Sequence, residues 1–150
     1  MVEWGINQTL YPVTIRVPSM ECVVSGREDS TDYSILNKYQ VTKQGKMVAV
    51  IALGNFYQLG EKVVEDVAEE IGVEATLINP KYITGLDENL LERLKEDHDL
   101  VITLEDGIKK SFPDRYVPEK LLKENGISVE KITEDIKTLI GVNESKFVNC

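Results

Sequence analysis

Residues 47–79 read MVAVIALGNFYQLGEKVVEDVAEEIGVEATLIN, and the change of period inside this stretch decides the fold. Met47 to Leu53 is an unbroken apolar run rich in β-branched side chains, closed by Gly54. Such a run predicts a strand buried on both faces, as in parallel sheets covered by helices. From Asn55 the spacing turns helical. Phe56, Leu59, Val63, Val64, Val67, Ala68 and Ile71 recur at helical intervals, while Glu61, Glu65, Asp66, Glu69 and Glu70 face elsewhere. Gly72 is placed to end that helix, and Glu74–Asn79 reads as a second strand.

Further along, Asp87 is placed to cap a helix carrying Leu90, Leu91 and Leu94, and Leu100–Leu104 reads as a third strand. Strand, helix, strand, helix, strand is a βαβαβ unit, with right-handed crossovers and a parallel sheet expected. The fold class is therefore α/β: three αβα layers with a mostly parallel sheet. The flanks are less regular. An N-terminal helical turn precedes Tyr11–Val17, whose alternation around Val13, Ile15 and Val17 suggests a short strand. Residues 25–37 are polar and turn-rich, and Tyr39–Thr42 suggests a small strand feeding the first core strand. Pro118 suits the first turn of a helix holding Leu121 and Leu122 and closed by Gly126. Ser128 then caps a last helix with Val129, Ile132, Ile136, Leu139 and Ile140, stopped by Gly141. Ile127 and Ile132 are spaced for a hydrophobic staple across that cap.

The 150 residues carry a formal charge of −9, which argues against nucleic acid and anionic membrane surfaces as partners. No apolar run reaches the roughly 18 residues of a spanning helix, and no basic n-region or apolar h-region opens the chain, so a cytoplasmic protein is expected. Cys22 and Cys150 lie in no CxxC or Cys/His cluster. They are expected to stay reduced and to bind no metal. The sequons at Asn7 and Asn143 are chance matches in a cytoplasmic setting.

Two places at strand ends are candidates for chemistry. Gly54 and Asn55 lie between a parallel strand and the following helix, where α/β proteins bind phosphates. The glycine spacing up to Gly60 and Glu61-Lys62 does not match a P-loop, so a plain strand-to-helix turn is the competing reading. Glu105-Asp106 ends the third strand, but neighbours on a strand point to opposite faces and cannot act together without a turn. His98, the only histidine, sits between Asp97 and Asp99 at a predicted helix C-terminus and reads as a structural or surface residue. No catalytic constellation is complete.

Leu77–Glu88 with Leu100–Asp106 resembles the C-terminal domain of the transketolase family, where a strand runs into an Arg/Lys-Phe-x-x-Pro/Gly-Leu-Asp segment, a helix, and a strand ending in Thr-x-Glu-Glu/Asp. Met47–Gly54 is similar to the family's opening strand, and Pro113–Val117 with Leu121–Ile127 to its closing segment. The pattern is nearest the 1-deoxy-D-xylulose-5-phosphate synthase branch. The similarity implies a domain over 39–150, a linker over 25–38, and a tail of the preceding pyrimidine-binding domain over 1–24. It also implies an enzyme that joins pyruvate to glyceraldehyde 3-phosphate with thiamine diphosphate and Mg²⁺, for isoprenoid precursor synthesis. In the family the cofactor and catalytic motifs lie in upstream domains, and none has a counterpart here. The resemblance thus implies a structural, dimer-forming portion, inactive alone, whose partner is a second copy or those upstream domains.

Two departures from the pattern matter. Where the synthase has an Arg that contacts the substrate phosphate, Ser19 follows Pro18, leaving Arg16 as a weak stand-in. Only Ile108–Phe112 separates Gly107 from Pro113, so the sheet is expected to be short of one strand and its helix. Two alternatives stand beside this reading: a free-standing α/β module that binds a small anion, and the matching half of a 2-oxoacid dehydrogenase β subunit.

Overall fold

A computed structural model describes residues 1–15, 32–105, 122 and 126–141. In chain order these form helix α1 (Val2–Asn7), strand β1 (Gln40–Lys43), strand β2 (Met47–Ala52) and a 3-10 turn (Gly54–Phe56) running into helix α2 (Tyr57–Ile71). Strand β3 (Thr76–Asn79), helix α3 (Glu88–Asp97), strand β4 (His98–Leu104) and helix α4 (Val129–Leu139) follow. The strands make one sheet in the order β1-β3-β2-β4. Strand β2 runs parallel to β3 and β4, and β1 runs antiparallel to β3. The βαβαβ unit expected from residues 47–104 is present, within a mixed sheet.

Strand β2 is covered on both sides. Val48, Val50 and Ala52 pack with Val63, Val64 and Val67 of α2 and Ile136 of α4. Ala49 and Ile51 turn the other way and pack with Ile78, Leu90 and Leu94 beneath α3. Each buried Val, Ile or Leu stabilises the fold by about 1.5–3 kcal/mol, so the unbroken apolar run is what an α/β/α sandwich requires of its central strand.

The helix ends follow the local chemistry. Gly72 adopts φ 72° after α2, and Ser128 Oγ accepts from Lys131 N–H at 3.3 Å to cap α4. Ile127 N–H donates to Leu122 O at 2.8 Å across Gly126, whose φ is 71°. Pro118, Leu121 and residues 123–125 of the expected helix from Pro118 lie outside the described residues, as does the segment between Gly107 and Pro113.

One flanking expectation holds and one is corrected. Strand β1 forms and feeds β2 through a short turn, and it pairs at the sheet edge with β3, through Gln40↔Asn79 and Val41↔Ile78. Its link to β2 passes so close to β3 that a Cβ on Gly45 would lie 1.9 Å from Glu74 O. Residues 11–15 join no strand. Instead Gln8 donates through Nε2 to Tyr11 O at 2.5 Å and accepts from Leu10 N–H at 3.0 Å, while Val13 packs back on Gly5. The alternating apolar residues are used against α1, so no sheet edge is needed to bury them. Ile15 ends that described stretch, and Val17 lies outside it.

Two substitutions test this packing with opposite signs. Ala for Gly in an open helix gains about 1 kcal/mol. At Gly60, however, the new Cβ would lie 2.7 Å from Ala52 Cβ and 3.2 Å from Leu77 Cδ1. Gly60→Ala should therefore destabilise by roughly 1–3 kcal/mol, seen as a lower Tm in thermal circular dichroism. Thr133 is 1% exposed and its Oγ1 has no hydrogen-bond partner among the described residues. Thr133→Val removes that stranded hydroxyl and should raise stability by about 1 kcal/mol in the same assay.

Candidate functional site

The two sequence candidates at strand ends meet on one edge of the sheet. Ala52 pairs with Leu104, and Leu53 N–H donates to Leu104 O at 2.9 Å just beyond that pair, so Gly54 and Glu105 emerge side by side. Strand β2 leaves for β3 through α2 on one face, and β3 returns to β4 through α3 on the other. Strands β2 and β4 both end here, at the carboxyl edge where open α/β sheets gather ligands. Gly54, Asn55 and Glu105 are all exposed. Asp106 and Arg16 lie outside the described residues.

The chemistry at this edge is sparse. Gly54 holds φ 59°, which accounts for the glycine without any ligand. Phe56 N–H is bonded to Leu53 O at 3.2 Å and Tyr57 N–H to Gly54 O, so these two amides are spent on the turn itself. Glu105 adds negative charge beside them, which works against an anion. Among the described residues no group of three His, Cys, Asp or Glu side chains could hold a metal. The described residues of this edge thus offer no cradle for a magnesium diphosphate.

His98 caps the C-terminus of α3, as expected, and is also the first residue of β4, where it is buried. Its Nε2 lies 2.7 Å from Thr76 Oγ1. Its Nδ1 lies 3.2 Å from Leu94 O and 2.7 Å from Asp97 Oδ1. Thr76 Oγ1 also accepts from Gly45 N–H at 2.9 Å. A proton on Nδ1 would serve the two oxygens there and leave Nε2 to accept from the Thr76 hydroxyl. His98 and Thr76 stand at the amino ends of their strands, away from the Gly54–Glu105 edge, so the imidazole serves the core.

A second cluster surrounds the Lys81–Asp87 loop. Asp87 Oδ1 accepts from Leu90 N–H at 3.1 Å, the expected cap. Its Oδ2 accepts from Tyr39 N–H at 3.0 Å, so one carboxylate fastens both the start of α3 and the entry to β1. The Tyr39 phenol is held above its ordinary pKa by burial first and the Asp87 charge second, and it donates to Gly85 O at 3.4 Å. Thr84 Oγ1 donates to Asn37 Oδ1 at 2.6 Å, and Tyr82 Oη to Tyr33 O at 3.0 Å. The Tyr33 ring has Tyr82 at 6.4 Å, Trp4 at 6.1 Å and Lys81 Nζ at 5.6 Å. The cap on Asp87 was readable from spacing. Its second bond joins residues 48 apart in sequence, and no local signal marks it.

A family model for the transketolase C-terminal domain matches residues 37–112, which take in the Gly54–Glu105 edge and the Lys81–Asp87 loop. The 1-deoxy-D-xylulose-5-phosphate synthase of Alkaliphilus oremlandii is 27% identical over 154 residues, covering 84% of this chain and 24% of that protein. Its namesake from Clostridium botulinum (strain Alaska E43) is 32% identical over 108 residues, covering 72% of this chain and 17% of that one. The chain thus spans a quarter or less of the length of these relatives. Among solved structures, one titled "Split gene transketolase, inactive beta4 tetramer" superposes with a TM-score of 0.61 at 18% identity, over 70% of this chain and 43% of that one.

Asp87→Ala should cost about 2 kcal/mol, from a lost cap and an unmet Tyr39 amide. Asp87→Asn keeps one acceptor oxygen of two and should fall between. Urea denaturation of the three proteins checks the order.

Proposed function

Because the chain belongs to the transketolase C-terminal domain family, we propose that it is the structural, dimer-forming C-terminal portion of a thiamine-diphosphate-dependent transferase, inactive by itself. The enzyme is of the 1-deoxy-D-xylulose-5-phosphate synthase type: it joins pyruvate to glyceraldehyde 3-phosphate with loss of CO₂, for isoprenoid precursors, in the cytoplasm. The observation that carries this reading is the family match over 37–112, shared with relatives that bear the synthase name and are several times longer.

The polar atoms of the Lys81–Asp87 loop point the same way. They are spent on Asn37, Tyr39 and Tyr33, which is the pattern of a junction between segments. The fold neighbour whose title calls its tetramer inactive adds a parallel for a transketolase chain without activity of its own.

The purified chain, given thiamine diphosphate, Mg²⁺, pyruvate and glyceraldehyde 3-phosphate, should release no CO₂ above the protein-free rate. Adding the upstream domains of the Alkaliphilus synthase, prepared without their own C-terminal domain, should restore turnover. Product from the lone chain would sink the proposal.

A further inference from the structure

Among the described residues, strand β4 ends the sheet and pairs with β2 alone. It is seven residues long and reads HDLVITL, with Val101 46% exposed and Asp99 and Thr103 exposed on the same side. It carries no Lys and no Pro, the residues that blunt natural sheet edges. The unspent backbone groups of such a strand are a template for one more strand.

The direction of those groups is fixed. Leu104 O accepts from Leu53 N–H at 2.9 Å, so the backbone of Leu104 faces β2. Bonding direction alternates along a strand. Leu100 and Ile102 therefore face β2 as well, while the N–H and C=O of Val101 and Thr103 face away from the sheet. Glu105 is the next residue in that outward series. The sequence continues Asp106-Gly107-Ile108-Lys109-Lys110-Ser111-Phe112-Pro113, outside the described residues. Asp-Gly is a preferred pair for a two-residue hairpin turn, whose flanking residues exchange both of their backbone bonds. Here the flanking residues are Glu105 and Ile108, and Glu105 has the outward parity that this turn needs. We infer that residues 108–112 add to the free edge of β4 as an antiparallel strand, turned by Asp106-Gly107.

The side chains fit this register. Lys110 stands opposite Thr103 and Phe112 opposite Val101, and opposed residues project from the same face. Phe112 then covers the apolar side chain that β4 leaves exposed, and Lys110 comes diagonal to Glu105. The new edge carries Lys109, Lys110 and Pro113, which discourage a further strand. A strand from any other molecule would compete with a segment tethered one turn away, at an effective concentration of roughly millimolar.

Nuclear magnetic resonance on the full 150-residue chain tests it. The N–H groups of Val101 and Thr103 should exchange with solvent as slowly as that of Leu104. Overhauser contacts between Hα atoms should join Ile102 to Ser111 and Leu104 to Lys109, the non-hydrogen-bonded pairs whose Cα atoms lie about 4.5 Å apart. Gly107→Val should speed exchange at Val101 and Thr103 about tenfold, the cost of a branched side chain at positive φ, and leave Leu104 unchanged. Fast exchange at Val101 and Thr103 in the unsubstituted chain overturns the proposal. Slow exchange with Overhauser contacts to other residues, or with contacts that run from a labelled copy to an unlabelled one, overturns it too.

Discussion

Five consecutive side chains of β2, Val48 to Ala52, must be dry on both sides at once, and the rest of the molecule is arranged to keep them so. Four of the five are fully buried and Ile51 is 8% exposed. One helix cannot do this, because successive side chains of a strand leave by opposite faces. The chain therefore sends its first crossover, α2, over one face and its second, α3, over the other. Crossovers of opposite sense place β3 and β4 on either side of β2 and make β2 central.

Most of this was legible because the signals were local. An apolar run, a shift to helical spacing, a glycine at position 72 and an aspartate at position 87 each speak for the few residues around them. What the sequence did not disclose was pairing between distant parts. Strand β1 skips its neighbour β2, a choice made by the space beside β3 and by Gly45, which alone can pass Glu74 O. His98 stands at the helix end its spacing indicates, but the partner of its ring, Thr76, lies 22 residues away and no local signal marks it. At the candidate site, Gly54 and Glu105 were recognised separately. Their adjacency depends on strand order, which no spacing encodes.

The acceptors and hydroxyls that gather around Lys81–Asp87 are satisfied internally, and the amides at the Gly54 turn close that turn. Charge is distributed as unevenly: helix α2 carries five acids against one base, while the described segments around Tyr33 are neutral and apolar.

Trp4 is the only tryptophan, and it lies against Tyr11 and Tyr33, outside the packed layers of the sheet. The intrinsic emission of this protein is therefore a local gauge. It reads whether the first segment is seated on the 33–37 turn and is nearly blind to the state of β2. A fluorescence melt would follow the undocking of an appendage, and a far-ultraviolet melt the loss of the sheet. Separation of the two curves would measure how far the N-terminal segment is thermodynamically its own unit.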